Sequence, residues 1–414
     1  MNIRSAGPPS GARAIAVLAM AVAALGCDSL APQASGPPVS GPPVLGIDWG
    51  RAASVERPAN YEETVSPSYQ AKHPILRIQG QATMADVIGL ANGGLVALGY
   101  APPDWLPVAW TSADGTAWAF HATLGETDFT FPVSLALGTH GTTVAVGRSG
   151  KEPVAWTTTD GVDWQRRSVA ILGHDGTAER MTAIVAGPDG FVAGGSVGPE
   201  LFERHARFWL SADGLDWTPV ADDPVAFANA EVRAITRLGD GFVAVGVVGT
   251  AQEHTGADAW TSPDGLTWTL VDDAAFDGGE AVSVAPAPWG GLVAVGSTVG
   301  RKNAAAWIST DGRTWTRAPD EASRQHSGGF AWMTDVVAIG DVAIGVGDVQ
   351  GLQRGTAVSW ISRDGLSWVK SLEAPVQEGA EFYAITPGGP GALAVGAFGA
   401  PDSYVPEVWV TPAR

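Results

Sequence analysis

Seven polar residues recur at intervals of about 50 along the chain: Asp86, Ser134, Thr182, Arg233, Ser283, Asp335 and Tyr383. Together they hold two carboxylates, one guanidinium group and one phenol. Carboxylates held roughly 5–9.5 Å apart can hydrolyse a glycosidic bond. A guanidinium can grip a carboxylate through two parallel hydrogen bonds. Glu381 precedes Tyr383 by two residues, so on a strand both side chains point the same way. The column reads equally as a site for a sugar or a peptide terminus, or as the wall of a water-filled channel whose groups satisfy one another. Trp105, Arg204 and His205 in connecting segments, and Trp332 just before a strand, add aromatic and cationic candidates for stacking on a sugar or contact with a protein.

Other chemistries lack their residues. The seven histidines show no H-x-x-H or H-x-x-x-H spacing, so no metal site is expected. One cysteine and no Walker loop leave no phosphate cradle, and no cofactor is expected. Lys+Arg 24 against Asp+Glu 43 gives a net charge of −19, a field that repels phosphate backbones and argues against nucleic acid as a partner.

The column is positioned by a repeat. The pattern W-x-[ST]-x-D-G-x-x-W occurs six times, from Trp110 to Trp360, and a seventh copy begins at Trp409. A VAVG-like run precedes each copy and ends at Gly99, Gly147, Gly195, Gly246, Gly296, Gly347 and Gly396. With the short β-rich opener that carries the polar column, each unit supplies four strands, A to D. Asp-Gly between C and D is a hairpin signal, because glycine tolerates the positive φ of a tight turn. Gly 54 and Pro 29 in 414 residues leave little room for long helices. Seven such units predict an all-β chain, a seven-bladed β-propeller with four antiparallel strands per blade, over 46–414. Blade seven has no chain left for its D strand, while Gly46-Ile47-Asp48-Trp49 matches Gly214-Leu215-Asp216-Trp217 of another D strand. The N-terminal segment is therefore expected to close the ring. Fourteen of the 17 tryptophans fall in the repeat or at Trp49, where they are expected to pack between blades. A three-residue C–D loop would set Trp110 directly across from Trp118; a two-residue loop would put them on opposite faces.

Residues 1–26 read as a signal peptide: Arg4 and Arg13, then an apolar run too short to span a bilayer. Ala24-Leu25-Gly26-Cys27 resembles a bacterial lipobox, with the small residue and the leucine in swapped order. That resemblance implies lipidation of Cys27 and a membrane-anchored lipoprotein on the extracytoplasmic side. The Pro, Gly and Ser of 27–45 would form the tether.

The C–D turns resemble the Asp-box (BNR-repeat) propellers, the group that includes sialidases, whose box reads S-x-D-x-G-x-T-W. Ser309-Thr310-Asp311-Gly312-Arg313-Thr314-Trp315 and Ser262-Pro263-Asp264-Gly265-Leu266-Thr267-Trp268 follow it with one residue fewer between Asp and Gly. A sialidase would add three arginines around the substrate carboxylate, an Asp acid/base and a Tyr nucleophile activated by Glu. Here Arg77-Ile78-Gln79 is the nearest approach to the early Arg-Ile-Pro element, and the polar column holds one arginine. The resulting expectation is a non-catalytic, monomeric binding or scaffold protein of the bacterial envelope. Its partner would be a protein, peptide or glycan, bound through Asp86, Arg233, Asp335, Tyr383, Trp105, Arg204, His205 and Trp332. The alternative is a sialidase-like glycoside hydrolase with Asp86 or Asp335 as acid/base and Tyr383 as nucleophile.

Overall fold

The computed structural model describes residues 47–57, 81–101, 105–121, 130–169, 177–199, 204–250, 253–319, 329–350, 355–370, 379–389, 391–399 and 404–412. All belong to one unit, Val44–Arg414. The signal peptide, Cys27 and the tether lie outside the described residues.

The repeat becomes seven antiparallel sheets in a ring. In each, the A strand is innermost and D outermost. The A strands are Thr83–Gly89, Thr130–Leu137, Ala178–Gly187, Ala230–Leu238, Gly279–Pro286, Phe330–Ile339 and Ala380–Gly388, for blades one to seven. The VAVG segments form B strands buried on both faces, which explains why they are continuously apolar rather than alternating. The first tryptophan of each full repeat is fully buried on strand C, as Trp110, Trp156, Trp209, Trp260, Trp307 and Trp360 show. Packing runs from blade to blade: Phe208 of blade three stacks on Trp268 of blade four at 3.9 Å between ring centres. A buried tryptophan removes roughly 150–250 Å² from water, worth about 4–6 kcal/mol of transfer free energy.

The C–D turn is wider than a three-residue loop. Trp110 pairs with Phe120, and Trp260 with Leu270, so each first tryptophan faces the residue two past the second. Side-chain hydrogen bonds within the turn account for the extra width. In blade four the Asp264 carboxylate accepts from the Leu266 and Thr267 N–H groups at 2.8 Å each. Ser262 Oγ accepts from Gly265 N at 2.8 Å, and Trp268 Nε1 donates to the Gly265 carbonyl at 2.8 Å. Each Asp is thus a turn residue, as expected.

Every A strand carries a β-bulge where it passes the glycine that ends VAVG. The bulge presses the A-strand backbone onto strand B. A Cβ added at Gly99, Gly147, Gly195, Gly246, Gly296, Gly347 or Gly396 would lie 1.7–2.1 Å from an A-strand carbonyl oxygen. That close approach is the physical reason for the seven glycines.

The ring closes as expected, and further than expected. Gly50–Arg51 pairs antiparallel with Val405–Val410 as the D strand of blade seven, directly after the buried Trp49. The chain then runs on, and Ser54–Val55 adds a parallel fifth strand outside blade one. Glu56 completes the clasp: its carbonyl accepts from Trp110 Nε1 at 2.9 Å. One short segment thereby covers two sheet edges.

Candidate functional site

The bulges redraw the polar column. Because each bulge brings two successive residues to the cavity wall, the column read from sequence merges two structural positions. Thr182, Arg233 and Tyr383 occupy the bulge itself, with Ala85, Val133, Val282 and Thr334 in the other blades. Asp86, Ser134, Ser283 and Asp335 sit one residue further on. Both positions line one axial cavity of about 540 Å³, walled by the A strands of all seven blades. Asp86, Arg233, Asp335 and Tyr383 therefore do come together in one space.

The carboxylates in that wall join neighbouring blades. Asp86 Oδ1 accepts from Val87 N and Oδ2 from Leu135 N of blade two, each at 2.7 Å. Asp335 Oδ1 accepts from Ser283 Oγ of blade five at 2.6 Å and from Val336 N at 2.8 Å; its Oδ2 accepts from Ile385 N of blade seven at 2.9 Å. Thr182 and Thr334 likewise donate to the carbonyls of Val232 and Phe382 in the following blades. Ser283 and Asp335 thus satisfy one another, as the channel reading allowed, whereas Asp86 and Thr182 are held by backbone groups.

Burial, then the charge of Asp335, pushes the Asp86 carboxyl up to about 7 against the backbone hydrogen bonds that favour its charged form. Burial raises Asp335 as well. Between about pH 4 and pH 7 the folded chain then holds a proton at Asp86 that the unfolded chain has released, so this group's contribution to stability falls as pH rises. Thermal melts of wild type and Asp86→Asn should therefore diverge, wild type gaining on the variant as pH drops from about 8 to about 5. Parallel curves would mean that Asp86 is charged throughout.

The mouth of the cavity, on the side where A strands begin, is more strongly charged. Arg180 and Glu231 lie two residues before the bulge, on the same strand face as Thr182 and Arg233. Arg204 donates to Glu231 Oε2, and Arg233 Nε lies 3.4 Å from Glu231 Oε1. Burial alone would raise Glu231; Arg233, Arg180 and Arg204 outweigh it and hold the carboxyl down at about 2. Burial, opposed by Glu231 and reinforced by Arg204, Arg148 and Arg233, lowers Arg180 to about 10. Three guanidinium groups thus gather round one carboxylate, where the sequence column showed a single arginine.

Across the ring, Tyr383 Oη donates to Glu381 Oε2 at 2.5 Å and Tyr404 Oη to Glu381 Oε1 at 2.5 Å. Burial and the adjacent Glu381 raise both phenols above their ordinary value, so they stay protonated. Asp348, fully buried beside Glu381, is raised well above the usual carboxylate range, first by burial and then by that charge.

The loop candidates divide. Trp105 is exposed at 37% and belongs to an aromatic group with Tyr100 and Phe131, at 5.4 and 5.7 Å between ring centres. Its φ of 56° is unusual for a bulky residue. Trp332 does not precede strand A but lies within it, half-buried, with the Arg301 guanidinium 5.1 Å above its ring. Arg204 and His205 stand at the start of a C strand rather than on a free loop, because the ion pair with Glu231 draws Arg204 into the wall. Arg180, Glu231, Tyr100, Tyr404 and Asp348 escaped sequence reading. The glycine that ends VAVG, used to align the A strands, would have found Arg180 and Glu231, since both pair with the residue directly after it.

No protein-family model matches the sequence, and no curated protein sequence matches it. Solved structures do share its fold. Polysaccharide lyase Uly1 superposes with a TM-score of 0.54 at 11% identity, over 89% of this chain and 100% of that one. Trypanosoma rangeli sialidase gives 0.47 at 12% identity, over 89% of this chain, which spans 59% of the sialidase's length. The α-L-arabinofuranosidase Arb93A from Fusarium graminearum gives 0.46 at 14% identity, over 80% of this chain and 93% of that one. Fold and site together define a seven-bladed β-propeller with a charged axial cavity.

Proposed function

We propose that the protein is a non-catalytic binding propeller that takes a carboxylate-bearing glycan at the mouth of its axial cavity. The carrying observation is the convergence of Arg180, Arg204 and Arg233 on Glu231 in a chain of net charge −19. Three guanidinium groups against one carboxylate leave an excess of positive charge in a half-buried wall, and a ligand carboxylate offsets that cost with charge-assisted hydrogen bonds. The net negative surface repels anions at long range, but salt screens it beyond about 8–10 Å, so the grip is local. The exposed Trp105, packed on the cavity-lining Tyr100 and Phe131, supplies a ring face for stacking. The lyase that shares the fold acts on a polysaccharide, which accords with this reading.

Calorimetric titration with oligogalacturonate and with neutral oligosaccharides of the same length tests the proposal. Binding is expected for the acidic series, with Arg233→Ala weakening it about ten- to a hundredfold, the value of a charged hydrogen bond. Equal binding of the neutral series, or an unaffected Arg233→Ala, would remove the reading. The hydrolase alternative rests on the 2.5 Å hydrogen bond between Tyr383 and Glu381. It is opposed by the commitment of both oxygens of Asp86 and of Asp335 to backbone N–H groups. Turnover of a panel glycan, abolished in Tyr383→Phe, would put the hydrolase in place of the binder.

A further inference from the structure

The axial cavity carries opposite charges on facing walls. The A strands succeed one another round the ring in chain order and close from blade seven to blade one. Blade four therefore stands across from the seam between blades seven and one, and Arg233 faces Tyr383 and Asp86 over the cavity. Asp335, from blade six, is close enough to Asp86 for its charge to be felt there. Among the described residues no Lys, Arg or His forms an ion pair with Asp86 or Asp335.

Resting on the carboxylate reading above, we propose that the ligand bears an ammonium group at its far end: an amino sugar acid, with its carboxylate on Arg233 and its ammonium between Asp86 and Asp335. The hydrogen-bond inventory fits. A carboxylate has about four acceptor sites. The contacts on Asp86 use two of them and those on Asp335 use three, which leaves two and one. An ammonium carries three N–H donors. A neutral hydroxyl could use one such site but would leave this desolvated pair without a counter-charge; an ammonium supplies it and favours the charged form of Asp86. Hydroxyls of Ser134 and Thr182 line the same space, suited to the ring oxygens of a sugar. A pyranose with an amine at C2 and a carboxylate at C5 presents its charges on opposite sides of one ring, as the two walls do.

Three probes of one ring separate the outcomes: glucosaminuronate, its N-acetyl derivative and glucosamine, each titrated into the full chain. Glucosaminuronate should bind at least about tenfold more tightly than either of the others, because each lacks one charge-assisted contact. Equal affinity for the N-acetyl form would overturn the ammonium site while leaving the carboxylate reading intact. Equal affinity for glucosamine would overturn the carboxylate reading and this inference with it. Absence of binding by all three at millimolar concentration would overturn both. Asp335→Asn should reduce the preference for the free amine. The wild-type comparison alone decides the matter if that variant fails to fold.

Discussion

Trp49→Ala is expected to lower the unfolding free energy by about 3–5 kcal/mol, the cost of emptying a large aromatic site in a packed core. Trp49 is buried at the joint between the last two blades. Its ring lies 5.4 Å from Phe382, and it shares a cluster with Ile344, Val346 and Trp409. It also departs from the pattern of its equivalents. Trp118, Trp217, Trp268 and Trp368 donate to the glycine of their own turn, whereas Trp49 Nε1 donates at 3.0 Å to Ser359 Oγ in blade six. That bond joins the closing strand to a second blade. The next residues of the chain depend on the same anchor: Arg51 pairs with Glu407 at 2.6 Å, Ala52 N donates to the Val408 carbonyl at 2.9 Å, and Glu56 N donates to the Trp118 carbonyl at 2.9 Å. Loss of Trp49 should therefore loosen blades seven and one together and uncover strand edges that invite pairing between molecules. Urea unfolding with light scattering would show a lower midpoint and association. The exposed Val225→Ala is the control, expected to stay within about 0.5 kcal/mol. An unchanged midpoint in Trp49→Ala would mean that the ring is held by its blades alone.

The propeller was legible because its signals are local. Ser262, Asp264, Gly265 and Trp268 all bond within one turn, so their spacing is visible without knowledge of the rest of the chain. The closing segment was legible for the same reason, since Ile47-Asp48-Trp49 repeats Leu215-Asp216-Trp217. Ser54–Val55 was not: its parallel pairing with Ala117 and Trp118 uses backbone groups and needs no distinctive side chains. The polar column was half legible. Polarity marks a residue as facing the channel but does not reveal a bulge, which turns two successive residues of each A strand toward the cavity so that the polar one can be either. Arg180, Arg204 and Arg233 sit on or beside three strands in two blades, and only the ring brings them to Glu231. Nothing in their spacing marks them as one group.

Gly246→Ala tests whether fold and site share that bulge. A Cβ at Gly246 would stand 2.1 Å from the Glu231 carbonyl oxygen and 3.1 Å from Val232 Cα, both backbone atoms that cannot turn aside. The A strand of blade four must move outward or lose its bulge, at an expected cost of about 3 kcal/mol. Gly256→Ala, with nothing within 4 Å of the new carbon, should change stability by no more than about 0.5 kcal/mol. The displaced strand carries Glu231 and Arg233. Molecules of Gly246→Ala that remain folded should thus also lose affinity for oligogalacturonate, by a factor close to that of Arg233→Ala. A stability loss with full affinity would separate the bulge from the site and assign the glycine to the fold alone. Wild-type stability in Gly246→Ala would remove the contact with the Glu231 carbonyl as the reason for the seven glycines.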